Sequence, residues 1–334
     1  MSAKTQKSFI VMLLAALTLP LSASPSQRSF EATYTAAVSE IPAGTKQLKV
    51  WLPLPVSREH QQVSDVRIAG SPFRWVRHTD ALGNHYATTT IRNPKDRELE
   101  VKVEFRATRS EALFDALRPV RMTKSELVRD LKANRLVTLS PRVRALSEEV
   151  TAGATGTVAK ARAIYDHLLA TMKYDKTTPG WGRGDTERAC DVRTGNCTDF
   201  HSLFMSLARA QEIPVRFVIG FPLTNEATGQ IKGYHCWAEF HDEARGWIPA
   251  DVSDASKSQD PARRSYLFGN LDDDRIEFTM GRDLVLTPRT KEPLNFLIYP
   301  YVEADGVAVG KPSIMLDFKD AKKSTAGASI TLIK

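Results

Sequence analysis

The sequence predicts an α+β protein in which an antiparallel β-sandwich precedes a second domain of helices and antiparallel strands. Apolar and polar residues alternate between residues 30 and 110, a pattern typical of half-buried strands. Beyond residue 138 the apolar positions recur with helical spacing, and a series of strands follows these helices. Helices followed by strands favour an α+β domain over a doubly wound sheet. The 334 residues are enough for about two domains.

The N-terminal domain is predicted to span residues 28–112. Apolar residues occupy every second position in each of three stretches, 30–38, 48–54 and 99–105. A Leu-Gly-Asn segment at residues 82–84 is suited to a hairpin turn. Several short, half-buried strands joined by turns are typical of a β-sandwich. Because the domain has no cluster of titratable side chains, we interpret it as a packing or substrate-presenting module.

A mixed, basic connection is predicted over residues 113–137, followed by the second domain at residues 138–321 and a polar tail at residues 322–334. Ser140 followed by Pro141 is a helix start signal. The hydroxyl of the serine can cap free backbone N–H groups, and proline fits the first helical position. The second domain therefore begins with a helix.

Residues 1–23 have the pattern of a secretory signal peptide. Lys4 and Lys7 precede an apolar run at residues 9–19, and small residues follow at 22–24. The apolar run is shorter than the roughly 20 residues that a spanning helix needs. We therefore expect a periplasmic or secreted protein without a stable membrane anchor.

The charged residues indicate a mixed, solvated surface. The net charge is +7, and Lys and Arg are interleaved with Asp and Glu along the chain. A nucleic-acid-binding surface needs basic residues gathered on one face, so we expect no nucleic-acid partner. The composition does not indicate an oligomeric state.

Three cysteines, Cys190, Cys197 and Cys236, are an odd number for an oxidising compartment, so one thiol should be left over. Cys197 follows Asn196 at the predicted start of a helix, where the positive end of the helix dipole favours a thiolate. Backbone N–H groups at the same helix end can stabilise an oxyanion. Cys190 and Cys236 are a candidate disulfide pair, which would leave Cys197 free.

His235 and Asp251 are predicted to lie opposite each other in a β-hairpin. If the turn is centred on Glu243, the two residues pair directly across the strands and their side chains share one face. A carboxylate hydrogen-bonded to an imidazole orients that imidazole as a base for a nucleophile. The same alternation turns Cys236 away from His235 and towards the core, together with Tyr234, Ala238 and Phe240.

Three motifs in the order Cys, His, Asp resemble the core of transglutaminase-like proteins over roughly residues 158–255. They are Thr194-Gly195-Asn196-Cys197-Thr198-Asp199-Phe200-His201, Gly233-Tyr234-His235-Cys236-Trp237-Ala238-Glu239 and Gly246-Trp247-Ile248-Pro249-Ala250-Asp251. The resemblance implies a papain-like core, in which the helix that carries the cysteine packs on an antiparallel sheet. It also implies a catalytic triad of Cys197, His235 and Asp251. The N-terminal sandwich is similar to an arrangement found before this core in bacterial members.

The resemblance further implies a thioester intermediate formed with a peptide or protein amide. Water as the acceptor would make the protein a protease or amidase, and an amine would make it a cross-linking transferase; the sequence leaves both open. No calcium-site pattern is present, so neither a metal nor another cofactor is implied. Trp181 and Tyr174, upstream of the cysteine, are candidates for an additional oxyanion donor or for lining the cleft.

Two alternatives compete with an acyl-transfer enzyme. His201 lies four residues after Cys197 on the same helix face, so Cys197, His201, His235 and Cys190 could bind zinc, although their spacing matches no usual zinc pattern. The second alternative is a catalytically inactive binding protein on the same scaffold. Asp199 is interpreted as an acid that suits the positive end of the helix.

Overall fold

The computed structural model describes residues 25–321 of the chain. The predicted signal peptide at residues 1–23 and the polar tail at 322–334 lie outside the described residues. The predicted α+β class is confirmed, with a β-rich N-terminal region ahead of a helix-and-sheet core. Within the described range, no helix has both the length and the apolar character needed to cross a membrane.

The N-terminal region consists of antiparallel strands, and the predicted hairpin around residues 82–84 is confirmed as the turn between the fourth and fifth of them. One strand, at residues 61–69, had not been predicted. The strands are β1 (Gln27–Ser39), β2 (Gln47–Leu54), β3 (Gln61–Ala69), β4 (Val76–Thr79), β5 (His85–Arg92) and β6 (Leu99–Ser110).

A helical region follows a short 3₁₀ helix at Phe114–Ala116. Its elements are α1 (Lys124–Leu131), α2 (Pro141–Val150), α3 (Thr157–Thr171), β7 (Lys173–Tyr174), α4 (Thr186–Val192), β8 (Thr194–Gly195) and α5 (Cys197–Ala210). The predicted start at Ser140 is confirmed, since the Ser140 side chain accepts from the backbone N–H of Val143. The connection at 113–137 is less irregular than expected, because Thr123 and Glu126 form a capping box that begins α1.

The remaining elements are β9 (Val215–Pro222), β10 (Thr228–Lys232), β11 (His235–Asp242), β12 (Gly246–Ala250), α6 (Val252–Lys257), α7 (Pro261–Tyr266), β13 (Arg275–Met280), β14 (Tyr301–Ala304), β15 (Val307–Ala308) and β16 (Lys311–Asp320). Four of these strands form the sheet of the second domain in the order β12-β11-β9-β13. Helix α5 packs across β11 and β9 and is buried from Cys197 to Arg209. This is the predicted papain-like arrangement of a cysteine-bearing helix on an antiparallel sheet.

The C-terminal strands complete the sandwich, although we expected them within the second domain at residues 138–321. Its two five-stranded sheets have the orders β10-β16-β1-β6-β3 and β15-β14-β2-β5-β4. Strand β16 pairs with β1 from Phe30↔Asp320 to Ser39↔Lys311. Alternation along a sequence identifies a strand but not its partner, which is set by contacts between distant segments.

The sandwich also supports the outer strand of the second sheet. The buried Gln61 side chain donates to the Glu277 backbone carbonyl (2.9 Å) and accepts from the Glu277 N–H (2.8 Å). The buried Asn84 side chain donates to the Met280 backbone carbonyl (2.8 Å) and accepts from the Met280 N–H (2.7 Å). Two amide side chains thus satisfy backbone groups of β13 that a neighbouring strand would otherwise satisfy. The sandwich therefore fixes the position of β13.

Candidate active site

The first turn of α5 carries the predicted nucleophile. Asn196 is the N-cap, and its side-chain oxygen accepts from the backbone N–H of Thr198 at 2.9 Å. The Asp199 carboxylate accepts from the Asn196 N–H at 2.9 Å, which completes a capping box. Cys197 is therefore the first helical residue, as predicted, and only 2% of its surface is exposed. Its sulfur lies at the positive end of the helix.

His235 and Asp251 are in direct contact, although the predicted strand register is wrong. Their side chains are joined by a 2.6 Å hydrogen bond between Nε2 and Oδ2. Strand β11 pairs with β12 as Glu239↔Pro249, two residues away from the predicted pairing of Glu239 with Trp247. A shift of two residues keeps every side chain on its face, so the predicted face of Asp251 holds. Asp251 lies just beyond β12, as the N-cap of α6.

The Asp251 carboxylate has two further partners. Arg275, 3% exposed on β13, donates to Oδ2 at 3.0 Å, and the backbone N–H of Asp254 donates to Oδ1 at 3.1 Å. Burial would raise the pKa of Asp251, but the His235 and Arg275 charges hold that pKa well below its usual range. Asp251 is therefore a fixed negative charge beside Nε2 of His235.

Cys197 and His235 form a nucleophile and base pair. Burial disfavours the thiolate, yet hydrogen bonds from Cys236 and His235 and the imidazolium charge hold the pKa of Cys197 well below its ordinary value. Burial also lowers the pKa of His235, but the Asp251 carboxylate and the Cys197 thiolate outweigh it and raise that pKa to about 10. The pair therefore titrates as a unit, and a thiolate beside an imidazolium is its form at neutral pH.

The other two cysteines are not bonded to each other. All three cysteines are free thiols, so the candidate Cys190–Cys236 disulfide is wrong. Cys236 faces the core as predicted, but on this face the core is α5. Its sulfur lies 3.7 Å from Nδ1 of His201 and 3.9 Å from Oγ1 of Thr198. Because Cys236 points inwards, its thiol lies against the first turns of α5, next to the nucleophile.

Aromatic side chains surround the start of α5. Tyr174 is half-buried on β7, and burial together with the Cys197 and Cys236 charges raises the pKa of its phenol. Trp181 is 40% exposed in the loop that precedes α4. Tyr174, one of the two predicted oxyanion or cleft candidates, therefore lies within the influence of the nucleophile's charge. The Tyr234 hydroxyl, which had not been predicted here, lies 2.9 Å from Oγ1 of Thr198.

Asp199 ties the glycine-rich loop to the nucleophile helix. Besides the Asn196 N–H, its carboxylate accepts from the backbone N–H groups of Gly182 (2.6 Å) and Gly184 (3.0 Å). A side chain at Gly195 would clash with this carboxylate, which explains the glycine in the first motif. Asp199 thus does more than suit the helix dipole, because it positions the loop that carries Trp181.

Asp199→Ala is expected to reduce the free energy of unfolding by about 3 kcal/mol or more, because three backbone N–H groups lose their acceptor in a largely buried site. Denaturant titration measures this change. Asp260→Ala is the matched control: Asp260 is an exposed N-cap that accepts from Ala262 N–H, so its loss should cost only about 1 kcal/mol. Equal losses in the two variants would contradict the bridging role of Asp199.

Arg275 is a positioning residue that the sequence did not reveal. Its guanidinium bridges Asp251 and Asp272, donating to each at 3.0 Å, and lies over the Trp237 ring at 5.2 Å. No motif surrounds it, and its role depends on β13 lying beside β9. The bridge restrains Asp251, which in turn orients His235.

Arg275→Lys is expected to lower kcat by about 10- to 100-fold with little change in KM, because an ammonium cannot hold two carboxylates in the geometry of the guanidinium fork. Steady-state kinetics separate the two constants. Arg263→Lys is the control, since Arg263 binds the same Asp272 and does not contact Asp251. An unchanged kcat in Arg275→Lys, or an equal loss in both variants, would show that the bridge does not position Asp251.

The part of the chain that the structure describes contains no set of zinc ligands. No group of three or more His, Cys, Asp or Glu side chains is arranged there to hold a metal ion. His201 is fully buried beside Cys236 and Asp251, and burial lowers its pKa to about 4. His201 is therefore a neutral imidazole inside the site.

Comparison with known proteins agrees with the papain-like core. Residues 144–252 match the family model of the transglutaminase-like superfamily. The predicted resemblance to the transglutaminase-like superfamily is thereby confirmed for this part of the chain. An uncharacterized protein from Haemophilus influenzae is 28% identical over 83% of this chain and 85% of that protein.

One solved structure shares the fold. A candidate cysteine protease from Cytophaga hutchinsonii superimposes with a TM-score of 0.61 at 13% identity, over 89% of this chain and 92% of that one. The periplasmic domain of TgpA from Pseudomonas aeruginosa superimposes with a TM-score of 0.36 at 18% identity, over 67% of this chain and 87% of that one. At such identities the first of these structures supports the fold alone.

Proposed function

We propose that this protein is a thiol-dependent acyl-transfer enzyme that acts on peptide or protein amides through Cys197, His235 and Asp251. The observation that carries the proposal is the position of His235. Its Nε2 is held by Asp251 at 2.6 Å, and its charge lowers the pKa of the Cys197 thiol at a helix N-terminus. This is the relation of nucleophile, base and orienting group that covalent acyl transfer needs.

The first half-reaction forms a thioester. The Cys197 thiolate attacks the carbonyl carbon of the amide, and the carbonyl oxygen becomes an oxyanion. Backbone N–H groups in the first turn of α5 stabilise this charge, and Tyr174 and Trp181 are the candidates for a further donor. The His235 imidazolium then gives its proton to the leaving amine as the carbon–nitrogen bond breaks.

The second half-reaction transfers the acyl group and restores the enzyme. Neutral His235 removes a proton from the acceptor, which attacks the thioester carbon, and the Cys197 thiolate leaves beside the re-formed imidazolium. Asp251 stabilises the imidazolium throughout, and Arg275 restrains Asp251. With water as the acceptor the reaction is hydrolysis, and with an amine it is transamidation. Side chains and water suffice for both, so no cofactor is proposed.

We also propose that the enzyme works outside the cytoplasm. The basic and apolar pattern of residues 1–23 supports export. An oxidising compartment bears directly on an enzyme with a reactive thiol, because thiolates oxidise there in the absence of a reducing thiol pool.

Incubation of the purified protein with a glutamine-containing peptide amide, with and without a primary amine, tests the proposal. Mass spectrometry distinguishes cleavage, deamidation and amine incorporation, and each of these would name one branch of the reaction. Cys197→Ala is the matched control and should give none of the three products. The alternative of an inactive binding protein predicts no product, and no modification of Cys197 by iodoacetamide near neutral pH.

A further inference from the structure

Two thiol–imidazole pairs share the Asp251 carboxylate. One pair is Cys197 with His235, whose Nε2 contacts Oδ2 of Asp251. The other is Cys236 with His201, whose Nε2 lies 3.6 Å from Oδ1 of the same carboxylate. Acyl transfer uses the first pair and leaves the second without a role.

The second pair is buried, and not all of its polar atoms have a hydrogen-bond partner. Cys236 and His201 are both 0% exposed, and among the described residues Nε2 of His201 has no hydrogen-bond partner. The nearby Asp251 carboxylate favours the tautomer with the proton on Nε2. The Nδ1 lone pair then faces the Cys236 sulfur at 3.7 Å and can accept its proton. A buried, neutral histidine with this orientation can relay the proton of Cys236.

The two thiols belong to the same buried cluster. Cys236 lies next to His235 on β11, and Thr198, which its sulfur approaches at 3.9 Å, lies next to Cys197 on α5. Burial raises the pKa of the Cys236 thiol, and the charge of the Cys197 thiolate raises it further, as expected for neighbouring sulfurs. Cys190 lies on α4, outside this cluster.

We propose that Cys236 is a resolving thiol: when a hydroperoxide oxidises Cys197, Cys236 captures the product as a reversible Cys197–Cys236 disulfide. The site so assigned is a redox modification site whose reagent is hydrogen peroxide or an organic hydroperoxide. The disulfide stores the nucleophile in a form that a dithiol can reduce, instead of allowing irreversible oxidation to a sulfinic acid.

The chemistry proceeds in two balanced steps. The Cys197 thiolate attacks the peroxide oxygen and the O–O bond breaks, which gives a sulfenic acid and releases hydroxide or alkoxide. Cys236 then attacks the Cys197 sulfur while its proton passes by way of the neutral His201 ring to the departing oxygen. The S–O bond breaks, hydroxide leaves and takes up the proton, and the products are one disulfide and one water.

Electrostatics set the order of these steps. Burial and the negative charge of Cys197 raise the pKa of Cys236, so Cys236 stays a thiol while Cys197 is a thiolate. A sulfenic acid carries no charge, so oxidation of Cys197 removes the repulsion that keeps Cys236 protonated. Cys236 thus becomes a nucleophile only after its partner has been oxidised.

Peroxide treatment followed by peptide mapping without reduction tests the proposal. The expected product is a peptide pair joined through Cys197 and Cys236, with loss of two hydrogens, that dithiothreitol separates. Cys190→Ala is the matched control and should give the same linked pair. If the wild-type protein yields Cys197 sulfinic acid and no linked pair, the proposal is overturned.

Cys236→Ala provides a second measurement. After peroxide and then dithiothreitol, the wild-type protein should recover its Cys197 thiol, whereas the variant should retain sulfinic acid at Cys197. Equal recovery in both proteins would contradict a resolving role. Both readouts are masses of peptides, so they stand whether or not acyl transfer is observed, and a failure of the proposed function is distinguishable from a failure of this inference.

Discussion

Cys197→Ala is expected to abolish acyl transfer while the protein still folds. Removing the sulfur removes the atom that forms the thioester, so no product should form above the uncatalysed rate. Alanine is a good helix former and the Asn196 and Asp199 caps remain, so α5 should still begin at the same residue. Product formation is measured by mass spectrometry, and folding by circular dichroism and a thermal melt.

The matched control is Cys190→Ala. Cys190 is also a buried free thiol, but it lies on α4 and burial raises its pKa, so it is neither placed nor ionised as a nucleophile. This variant should keep the parent activity. Full activity of Cys197→Ala on a true substrate would rule out the proposed mechanism, whereas loss of its cooperative melt would mean that the change had damaged the fold.

The helix start at Cys197 was predictable because its determinants are adjacent in sequence. Asn196 caps the helix and Asp199 closes the capping box, and both act within one turn of the nucleophile. Such contacts require no knowledge of the tertiary fold. The same holds for Ser140 ahead of α2.

The contact between His235 and Asp251 was predicted on the correct face but in the wrong register. Turn length sets the register of a hairpin, and the turn is centred one residue later than assumed, which shifts the pairing by two residues. Because side chains alternate with a period of two, the shift left the face unchanged. Asp251 reaches the imidazole from the N-cap of α6, beyond the end of its strand.

The contacts that sequence reasoning missed all depend on distant segments. Arg275 reaches Asp251 because β13 lies beside β9, and β13 is held by Gln61 and Asn84 of the sandwich. Nothing near Arg275 in the sequence encodes these neighbours. Alternation correctly turned Cys236 inwards but could not identify α5 as the element packed on that face.

Asp251→Asn is expected to lower kcat/KM by about 10²- to 10⁴-fold. The carboxylate contacts the His235 ring at 2.6 Å and donates nothing, whereas an asparagine amide has one acceptor oxygen and one donor nitrogen. The amide nitrogen must then meet either the His235 and Arg275 donors or the Asp254 N–H with the wrong polarity. The imidazole loses both its orientation and its compensating charge.

The same substitution should change the pH profile in a defined direction. Burial lowers the pKa of His235 and Asp251 raises it, so without Asp251 this pKa falls from about 10. The charge of Asp251 acts on the adjacent imidazole more strongly than on the Cys197 sulfur, so the neutral thiol and imidazole are favoured at the expense of the ion pair. Alkylation of Cys197 by iodoacetamide should slow at neutral pH, and the alkaline limit of kcat/KM should move to lower pH.

Asp254→Asn is the control for this prediction, because it makes the same chemical change three residues further along α6. The Asp254 carboxylate pairs with Lys257 and Arg263 at the surface, and only its backbone N–H contacts Asp251. This variant should keep the parent profile. Two outcomes would contradict the prediction: a rate of Asp251→Asn within about tenfold of the parent, or a loss of activity with an unshifted alkaline limit. Either would show that Asp251 does not stabilise the imidazolium, and that the helix end alone stabilises the ion pair.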